Sequence, residues 1–371
     1  MNRAIEDGAV NETRPAPPPL QLIDLDGNFI ADATLKPDRA LCLEMFRWML
    51  YVRTFDTQVL ALQRAGRIAF CNPSTGQEAN QIGSVFALRP EDWVFPSYRV
   101  AGVYLFRKGS PLALLNQLYG NADDLSLGRQ LPMHFGDSSV NFVSVSSPIG
   151  TQITQAVGLS FAAKLKGQTL VAITYFGDGG TSTNDFHAAL NLAGVLRTPT
   201  IFYCENNQYA FSVPISKQTA SESIAAKGIA YGIQGVRVDG NDVLAIYAAT
   251  LDAARRARTG GGPVLIEAVT YRRGLHSSMD NPSLYRTAEE EEGWEASDPI
   301  LRCRKFLQRE GWWSPEWEEG ILKEQSASMD SAIREAEACP PPAPESLFED
   351  VWARPTPRLE AQRRALDEVL G

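Results

Sequence analysis

The chain has 371 residues, 44% of them hydrophobic and 21% charged, which is the composition of a folded globular protein rather than of a disordered or fibrous one. Its 35 basic and 44 acidic residues give a formal charge of −9, which argues against nucleic acid as a partner but leaves room for a local basic pocket that holds one phosphate ester. No apolar run approaches the roughly 20 residues of a membrane helix, so we expect no membrane partner, and five scattered cysteines without a Cys-x-x-Cys pair indicate reduced thiols.

The beginning of the chain is predicted to be extended. Prolines at positions 15, 17, 18 and 19 stiffen it, and we take residues 1–36 as an N-terminal arm rather than a packed element. Glu6 and Asp7 are acidic and no apolar segment accompanies them, so neither a secretory signal nor a transit peptide is evident. We therefore expect a cytoplasmic protein of bacterial type.

Helical periodicity follows the arm. From Pro37 to about Ala65 apolar residues recur at helical spacing, and Gly66 stands where a helix stop is expected. Ser110-Pro111 is typical of another helix start, and Gly120 closes that second helix. These patterns place helices ahead of the central part of the chain.

The centre of the chain alternates between buried strands and helices. Apolar runs rich in β-branched and aromatic residues predict strands. They lie at Thr169–Phe176, Thr200–Cys204, Gly235–Val238 and Val264–Val269. Helical stretches separate them, one of them at Val243–Arg258. This alternation indicates an α/β fold with a doubly wound, mostly parallel sheet flanked by helices.

The end of the chain is predicted to lie outside this α/β domain. A proline-rich linker runs from Cys339 to Pro344, and Leu359–Leu370 is predicted to be a terminal helix that docks on a neighbour. We therefore assign residues 37–338 to one α/β domain and residues 339–371 to a linker and a C-terminal helix.

A glycine-rich segment, Gly177–Gly180, follows the first central strand, where parallel sheets bind their ligands. The dinucleotide fingerprint would need glycine at position 182, which is Ser182, and the Gly-Lys pair of the Walker motif occurs nowhere in the chain. The hydrolase pattern Gly-x-Ser-x-Gly is also absent. Three common interpretations of such a segment are thereby excluded.

Two polar motifs remain, one after each of two successive strands. Asp178 follows the first strand, and Asn207 follows the second after a crossover helix. A carboxylate, an amide oxygen and a nearby carbonyl, that of Tyr209, suit Mg²⁺, which prefers oxygen ligands. Gly179 and Gly180 let the backbone approach phosphate oxygens. A tight turn and an ordinary loop would explain either half alone, but their joint placement favours a metal and phosphate site.

Together these motifs form a thiamine diphosphate signature. The sequence resembles the alpha subunit of the thiamine-dependent, decarboxylating component of 2-oxo acid dehydrogenase complexes, most of all the branched-chain type. The resemblance runs from about residue 37 to 350. Beyond the two motifs, the matching segments are residues 94–99, 128–134, 146–152, 238–243 and 271–278. The fold implied is the thiamin diphosphate-binding fold, with helical N- and C-terminal extensions.

The resemblance implies a role for individual residues. It assigns Mg²⁺ to Asp178, Asn207 and the carbonyl of Tyr209. It assigns the diphosphate to Tyr98, Arg99, His276 and the backbones of Gly179 and Gly180, with His276 as the catalytic residue of this chain. Ser147 and Ile149 occupy positions that contact the middle of the cofactor in the family.

Further positions carry weaker implications. Ser146, Pro148, Thr151 and Gln152 match a potassium site of some relatives, but the same residues could cap the helix that starts near Thr151. Glu205 stands where animal branched-chain enzymes carry an arginine, and we expect no hydrogen-bond donation to phosphate from it. We assign no chemical task to His134 and a structural one to His187. Ser277 and Ser278 fall where animal relatives are phosphorylated, but no kinase is indicated.

The implied reaction is the oxidative decarboxylation of a 2-oxo acid, with transfer of the acyl group to the lipoyl group of an acyltransferase partner. The implied cofactors are thiamine diphosphate and Mg²⁺, with K⁺ as in some relatives. We find no pyrimidine-binding domain in this chain. The activating carboxylate is therefore expected on a beta subunit, in a heterotetramer of two alpha and two beta chains.

The substrate is expected to be 3-methyl-2-oxobutanoate and its branched homologues. Residues 128–134, 311–313 and 347–351 look more like the branched-chain enzymes, whereas residues 177–182 and 205–208 occur equally in pyruvate dehydrogenases, which remain the alternative. A non-catalytic α/β nucleotide-binding or scaffold protein is the remaining alternative, and it would bind no thiamine diphosphate.

Overall fold

The structure is a computed structural model that describes residues 17–32, 36, 38–350 and 352–370. The first 16 residues, on which the expectation about targeting signals depends, lie outside these ranges. In the described part of the predicted arm, Leu22 and Ile23 are buried, and their backbone amides donate to the Asp242 carboxylate at 2.7 Å. The arm is thus extended but packed against the domain, unlike the prediction, because a buried carboxylate binds its backbone.

The helices and strands follow one another in a regular order. The helices are α1 (Arg39–Arg64), α2 (Glu78–Phe86), α3 (Ala101–Lys108), α4 (Leu112–Tyr119), α5 (Thr151–Leu165), α6 (Asn184–Leu196), α7 (Val243–Arg258), α8 (Ala288–Gly293), α9 (Pro299–Arg309), α10 (Pro315–Ala338) and α11 (Pro357–Leu370). The strands are β1 (Trp93–Phe95), β2 (Ala172–Gly177), β3 (Thr200–Asn206), β4 (Tyr209–Ala210), β5 (Val213–Pro214), β6 (Gln234–Asp239) and β7 (Val264–Val269).

Five strands form a parallel sheet in the order β1-β2-β3-β7-β6, while β4 and β5 form a short antiparallel hairpin. Gly177 of β2 pairs with Glu205 of β3, and Asn206 of β3 pairs with Val269 of β7. These three strands therefore end close together at one edge of the sheet, as the predicted parallel sheet requires. The short edge strand β1 was not predicted, because three residues carry too little periodicity.

The sheet separates two layers of helices. Ile173 and Tyr175 belong to the core shared with α1, α2 and α7, whereas Phe176 and Phe202 belong to the core shared with α5 and α6. This division follows from the period of two along a strand. The crossovers through α6 and α7 run in opposite directions across the sheet, and right-handed connections then place them on opposite faces. The predicted doubly wound α/β fold is confirmed.

The ends of the domain differ in how they pack. Asp38 begins α1 by accepting a hydrogen bond from the Leu41 amide at 2.8 Å, and Gly66, with a φ of +70°, follows its last turn. At the other end, the predicted terminal helix is present as α11, which has no buried residue, although Leu359 and Leu366 are half-buried. Within the described residues, the helices are too short or too polar to span a membrane.

Candidate functional site

A cavity of about 370 Å³ lies at the carboxyl edge of the sheet, above the ends of β2 and β3. Open parallel sheets bind ligands at this edge, where the crossovers change direction. The cavity brings together most of the residues predicted to bind the cofactor. Its lining includes Tyr98, Arg99, Ile149, Asp178, Gly179, Gly180, Asn207, Tyr209 and His276, together with Ser146 and Gln152. Ser147, Pro148 and Thr151 stand outside this lining.

Asp178 begins the turn that follows β2 and is only 1% exposed. Burial raises the pKa of its carboxyl to about 6, against the effect of a hydrogen bond that Gln218 donates to Oδ2. Within the described chain, no cation forms an ion pair with this carboxylate. A buried carboxylate without a cation is costly, so this position suits a ligand that brings positive charge.

Two further oxygens come from the end of β3. The Nδ2 group of Asn207 donates to Gln77 at 3.1 Å, which leaves the amide oxygen on the other side, where the Tyr209 amide approaches it at 3.3 Å. The Tyr209 carbonyl accepts a hydrogen bond from Arg272 at 3.2 Å and keeps one lone pair for another partner. With Asp178, the residues present therefore offer the hard oxygen donors that Mg²⁺ prefers.

The glycine turn is shaped by the hairpin that covers it. A Cβ atom on Gly179 would stand 2.7 Å from the Cβ atom of Ala210, in the hairpin strand β4. Only glycine allows the turn to approach the hairpin this closely. A Cβ atom on Gly177 would meet no atom within 4 Å, so the neighbouring backbone borders open space. The start of the turn therefore leaves room for a ligand beside its backbone.

His276 stands between two arginines. The guanidinium of Arg99 approaches its Nδ1 atom at 3.3 Å and donates to its carbonyl at 2.8 Å, while Arg272 approaches Nδ1 at 3.5 Å. Because guanidinium groups only donate, Nδ1 is the acceptor and Nε2 carries the proton. Burial, and then the charges of Arg99 and Arg272, lower the pKa of His276 to about 3. The imidazole is therefore neutral, with Nε2–H as a donor.

Glu205 forms part of the cavity wall and is buried. Burial raises the pKa of its carboxyl to about 8, an effect that the charge of Arg99 only partly offsets. Its Oε1 atom has no hydrogen-bond partner. At neutral pH the carboxyl is therefore largely protonated and can donate a hydrogen bond. A protonated carboxyl can donate a hydrogen bond, so our expectation that this residue cannot donate applies only to its ionised form.

Ser147, which lies outside the lining of this cavity, forms a pair with His134. The Nδ1 atom of His134 lies 3.0 Å from the Pro132 carbonyl, which can only accept, so Nδ1 carries the proton and Nε2 accepts from the Ser147 hydroxyl. The sequence indicated no task for His134, and this contact supplies one. His187, by contrast, is exposed and contacts the Tyr231 hydroxyl on the surface.

The predicted potassium residues surround the start of α5. The Thr151 hydroxyl donates to Ser146 Oγ at 2.8 Å and lies 3.2 Å from the Pro148 carbonyl, while the Gln152 side-chain oxygen is buried without a partner. Gly150 precedes the helix and no side chain caps it. The alternative in which these residues cap α5 through their side chains is therefore wrong.

Three residues that contact the predicted metal ligands were not predicted from the sequence. Gln77 bonds Asn207, Arg272 bonds the Tyr209 carbonyl, and Gln218 bonds the Asp178 carboxylate. Arg272 falls inside the matching segment 271–278, so a signal existed for it. Gln77 precedes α2, far in sequence from the motifs, and Gln218 lies in the loop that follows the hairpin, and no local pattern marks either of them.

Comparison with known proteins adds an independent finding. The family model described as "Dehydrogenase E1 component" matches residues 46–345. The 2-oxoisovalerate dehydrogenase subunit alpha, mitochondrial, of Caenorhabditis elegans is 45% identical over 332 residues, which are 89% of this chain and 77% of the relative. Its human counterpart is 43% identical over 325 residues, 87% of this chain and 73% of the relative. The alpha 1 subunit of Arabidopsis thaliana is 41% identical over 355 residues, 95% of this chain and 75% of the relative.

These names also correct one expectation. All three relatives are mitochondrial proteins by name, so the expectation of a cytoplasmic, bacterial-type protein is wrong. It rested on the acidic N-terminal residues, which lie outside the described part of the chain.

Proposed function

Since the chain belongs to the dehydrogenase E1 component family, we propose that it is the alpha subunit of a branched-chain 2-oxo acid dehydrogenase. The relatives named above act on 2-oxoisovalerate, which is 3-methyl-2-oxobutanoate, and this favours branched-chain substrates over pyruvate. The observation that carries the proposal is the buried Asp178 carboxylate, which lines the carboxyl-edge cavity beside Asn207 and forms no ion pair with any residue that the structure describes.

The cofactor we propose is thiamine diphosphate with Mg²⁺. When bound, thiamine diphosphate supplies the nucleophilic carbon and the electron sink for loss of CO₂. Asp178, Asn207 and the Tyr209 carbonyl would hold the metal. The turn at Gly179 and Gly180 would face the phosphate groups. A phosphate group also suits the neighbouring Arg272 Nε atom, which is a buried donor without a hydrogen-bond partner.

Charged and neutral groups of the site would bind an anionic ligand in different ways. Arg99 and Arg272 hold positive charge at the cavity and keep His276 neutral. His276 can then donate from Nε2 to an anionic oxygen without exchanging its proton at neutral pH. Protonated Glu205 offers a second neutral donor. Of these two neutral donors, His276 keeps its protonation state near pH 7, whereas Glu205, with a pKa of about 8, loses its proton as the pH rises above neutral.

We place a beta subunit over this cavity. Ile149 and Phe211 line it, yet they are 46% and 50% exposed, which suits burial against another chain. A heterotetramer of two alpha and two beta chains would supply the carboxylate that activates thiamine, and a lipoylated acyltransferase would receive the acyl group. Potassium is part of the same proposal, with oxygen atoms of Ser146, Pro148, Thr151 and Gln152 as its ligands.

The experiment is a rate comparison. The chain is produced alone and together with its beta subunit, and decarboxylation of 3-methyl-2-oxobutanoate and of pyruvate is measured with thiamine diphosphate and Mg²⁺. We expect no appreciable activity from the chain alone and preference for the branched acid in the complex. Robust activity without the beta subunit would overturn the half-site proposal, and strong preference for pyruvate would overturn the substrate.

A further inference from the structure

Gln218 occupies a position that none of the motifs explains. It follows the turn Ile215–Lys217, directly after the hairpin of β4 and β5. Its Nε2 group donates to Asp178 Oδ2 and also to the Val213 carbonyl, at 2.9 Å. Its Oε1 atom is buried and has no partner. One carboxamide therefore ties the end of β2 to the hairpin that follows β3.

The contact leaves acceptor sites of Asp178 for another ligand. Oδ2 accepts from Gln218, but each carboxylate oxygen has two lone pairs, so a cation can still bind this carboxylate. The hairpin that precedes Gln218 contains Tyr209, whose carbonyl is a predicted metal ligand. Ile215 donates from its backbone amide to the Gln208 carbonyl at 2.9 Å, which closes this segment on itself. Gln218 thus fixes Asp178 relative to the hairpin.

The Oε1 atom of Gln218, which has no hydrogen-bond partner, also indicates a role at the metal site. A buried carboxamide oxygen without a donor costs free energy unless a ligand or water supplies one. Gln218 Oε1 lies 3.8 Å from the place that a Cβ atom on Gly179 would occupy, so it borders the glycine turn. Mg²⁺ is usually bound with several of its waters, and such waters are donors.

We propose that Gln218 is a positioning residue of the magnesium site, which orients the Asp178 carboxylate through Nε2 and accepts a hydrogen bond from hydrated Mg²⁺ through Oε1. This inference rests on the proposed function and deepens it. Outer-shell partners of metal ligands typically change metal affinity by about 10–100-fold when they are removed. Gln218 acts on the metal and not on the substrate.

The test uses the alpha–beta complex and the variant Gln218→Met, which keeps the length of the side chain but neither donates nor accepts as a carboxamide does. Thiamine diphosphate is held at a fixed, saturating concentration, and Mg²⁺ is titrated by calorimetry. We expect Mg²⁺ to bind about 10–100-fold more weakly than to the wild type. Lys217→Met, on the exposed turn next to it, is the matched control and should bind Mg²⁺ like the wild type.

A second readout separates positioning from a merely structural role. If Gln218 acts through the metal, saturating Mg²⁺ restores kcat in Gln218→Met, while the Mg²⁺ concentration for half-maximal activity rises. Gln218→Asn, which is shorter but polar, should shift that concentration in the same direction. Unchanged Mg²⁺ affinity, or a loss of kcat that Mg²⁺ does not restore, overturns the inference. Failure of the wild-type complex to bind thiamine diphosphate would instead overturn the proposed function.

Discussion

Two buried aspartates lie at opposite ends of the parallel strands and differ in the groups that bind their carboxylates. Asp92, directly before β1, is fully buried and receives four hydrogen bonds of 2.8 Å, two of them from the guanidinium of Arg258. The others come from the backbone amides of Arg89 and Val171. Asp178, directly after β2, is equally buried, but the side chain that bonds it is the neutral Gln218.

This difference indicates a structural role for Asp92 and a ligand-binding role for Asp178. At the amino edge the chain neutralises its buried charge with a forked, charge-assisted pair, which fixes the sheet. At the carboxyl edge it buries a carboxylate beside orphan atoms of Glu205, Gln218 and Arg272. Unsatisfied polar atoms also occur elsewhere in the described chain, at Thr250 and Gln325, but Glu205 and Arg272 line the cavity, where a ligand can complete their interactions.

The largest effect on stability is expected at Asp92. Asp92→Asn leaves Arg258, whose side chain is 11% exposed, without its anion. Removing one partner of a buried pair typically costs about 3–5 kcal/mol. Calorimetric melting of the cofactor-free complex measures it. Glu324→Gln, which breaks the exposed pair with Arg47, is the control and should cost less than about 1 kcal/mol. Similar losses in both variants would refute the contrast between buried and exposed pairs.

The same substitution at Asp178 should leave thermal stability intact but weaken cofactor binding. Asp178→Asn removes a buried charge that has no ion-pair partner in the described chain, so the melting temperature of the cofactor-free complex should stay the same or rise. Mg²⁺-dependent binding of thiamine diphosphate should weaken more than ~100-fold, beyond the usual outer-shell effect. A melting temperature that falls as far as that of Asp92→Asn would show that Asp178 is structural.

A smaller effect is expected where the hairpin covers the glycine turn. Gly179→Ala places a methyl group against Ala210, so the hairpin must move and cofactor affinity should fall by about 10-fold, in the range of a single contact. Ala210→Gly in the same chain removes the obstructing atom and should restore most of the affinity. A double variant no better than Gly179→Ala would exclude this contact as the cause.

A further effect concerns the dependence of stability on pH. The pKa of His276 is lowered to about 3 in the folded chain, whereas an unfolded histidine titrates near 6.5. Stability from the neutral imidazole is therefore complete above pH 6.5 and is lost as pH falls towards 3. The loss is at most about 1.4 kcal/mol per pH unit, reduced by solvent because the ring is partly exposed.

Melting of the wild type and of His276→Gln between pH 7.5 and 4.5 measures this loss. The wild type should lose melting temperature relative to the variant as the solution becomes more acidic. Parallel curves would mean that His276 accepts a proton in the folded chain and is not held neutral by the arginines.

The sequence predicted the sheet and the family well, because both depend on local patterns. The strand Val264–Val269 and the helix Val243–Arg258 have the predicted bounds, since continuous apolar runs and an aspartate cap mark them. The resemblance to branched-chain alpha subunits is confirmed by the comparisons. The metal and cofactor residues remain predictions, although the fold brings most of them to one cavity.

What the sequence could not indicate depends on long-range contacts. Gln218 and Asp178 are 40 positions apart, and only the fold brings them together. The protonation of Glu205 follows from burial, which no single residue type reveals. The packing of Leu22 and Ile23 on Asp242 joins residues about 220 positions apart, so a proline-rich sequence there suggested a free arm.

The most direct test of the central claim is a binding titration of the wild-type alpha–beta complex with thiamine diphosphate, with Mg²⁺ and with the metal removed by a chelator. The account predicts saturable binding of one cofactor per alpha chain in the presence of Mg²⁺ and a large loss of affinity without it. Equal affinity with and without the metal, or no binding in either condition, would contradict a magnesium-dependent cofactor site at Asp178.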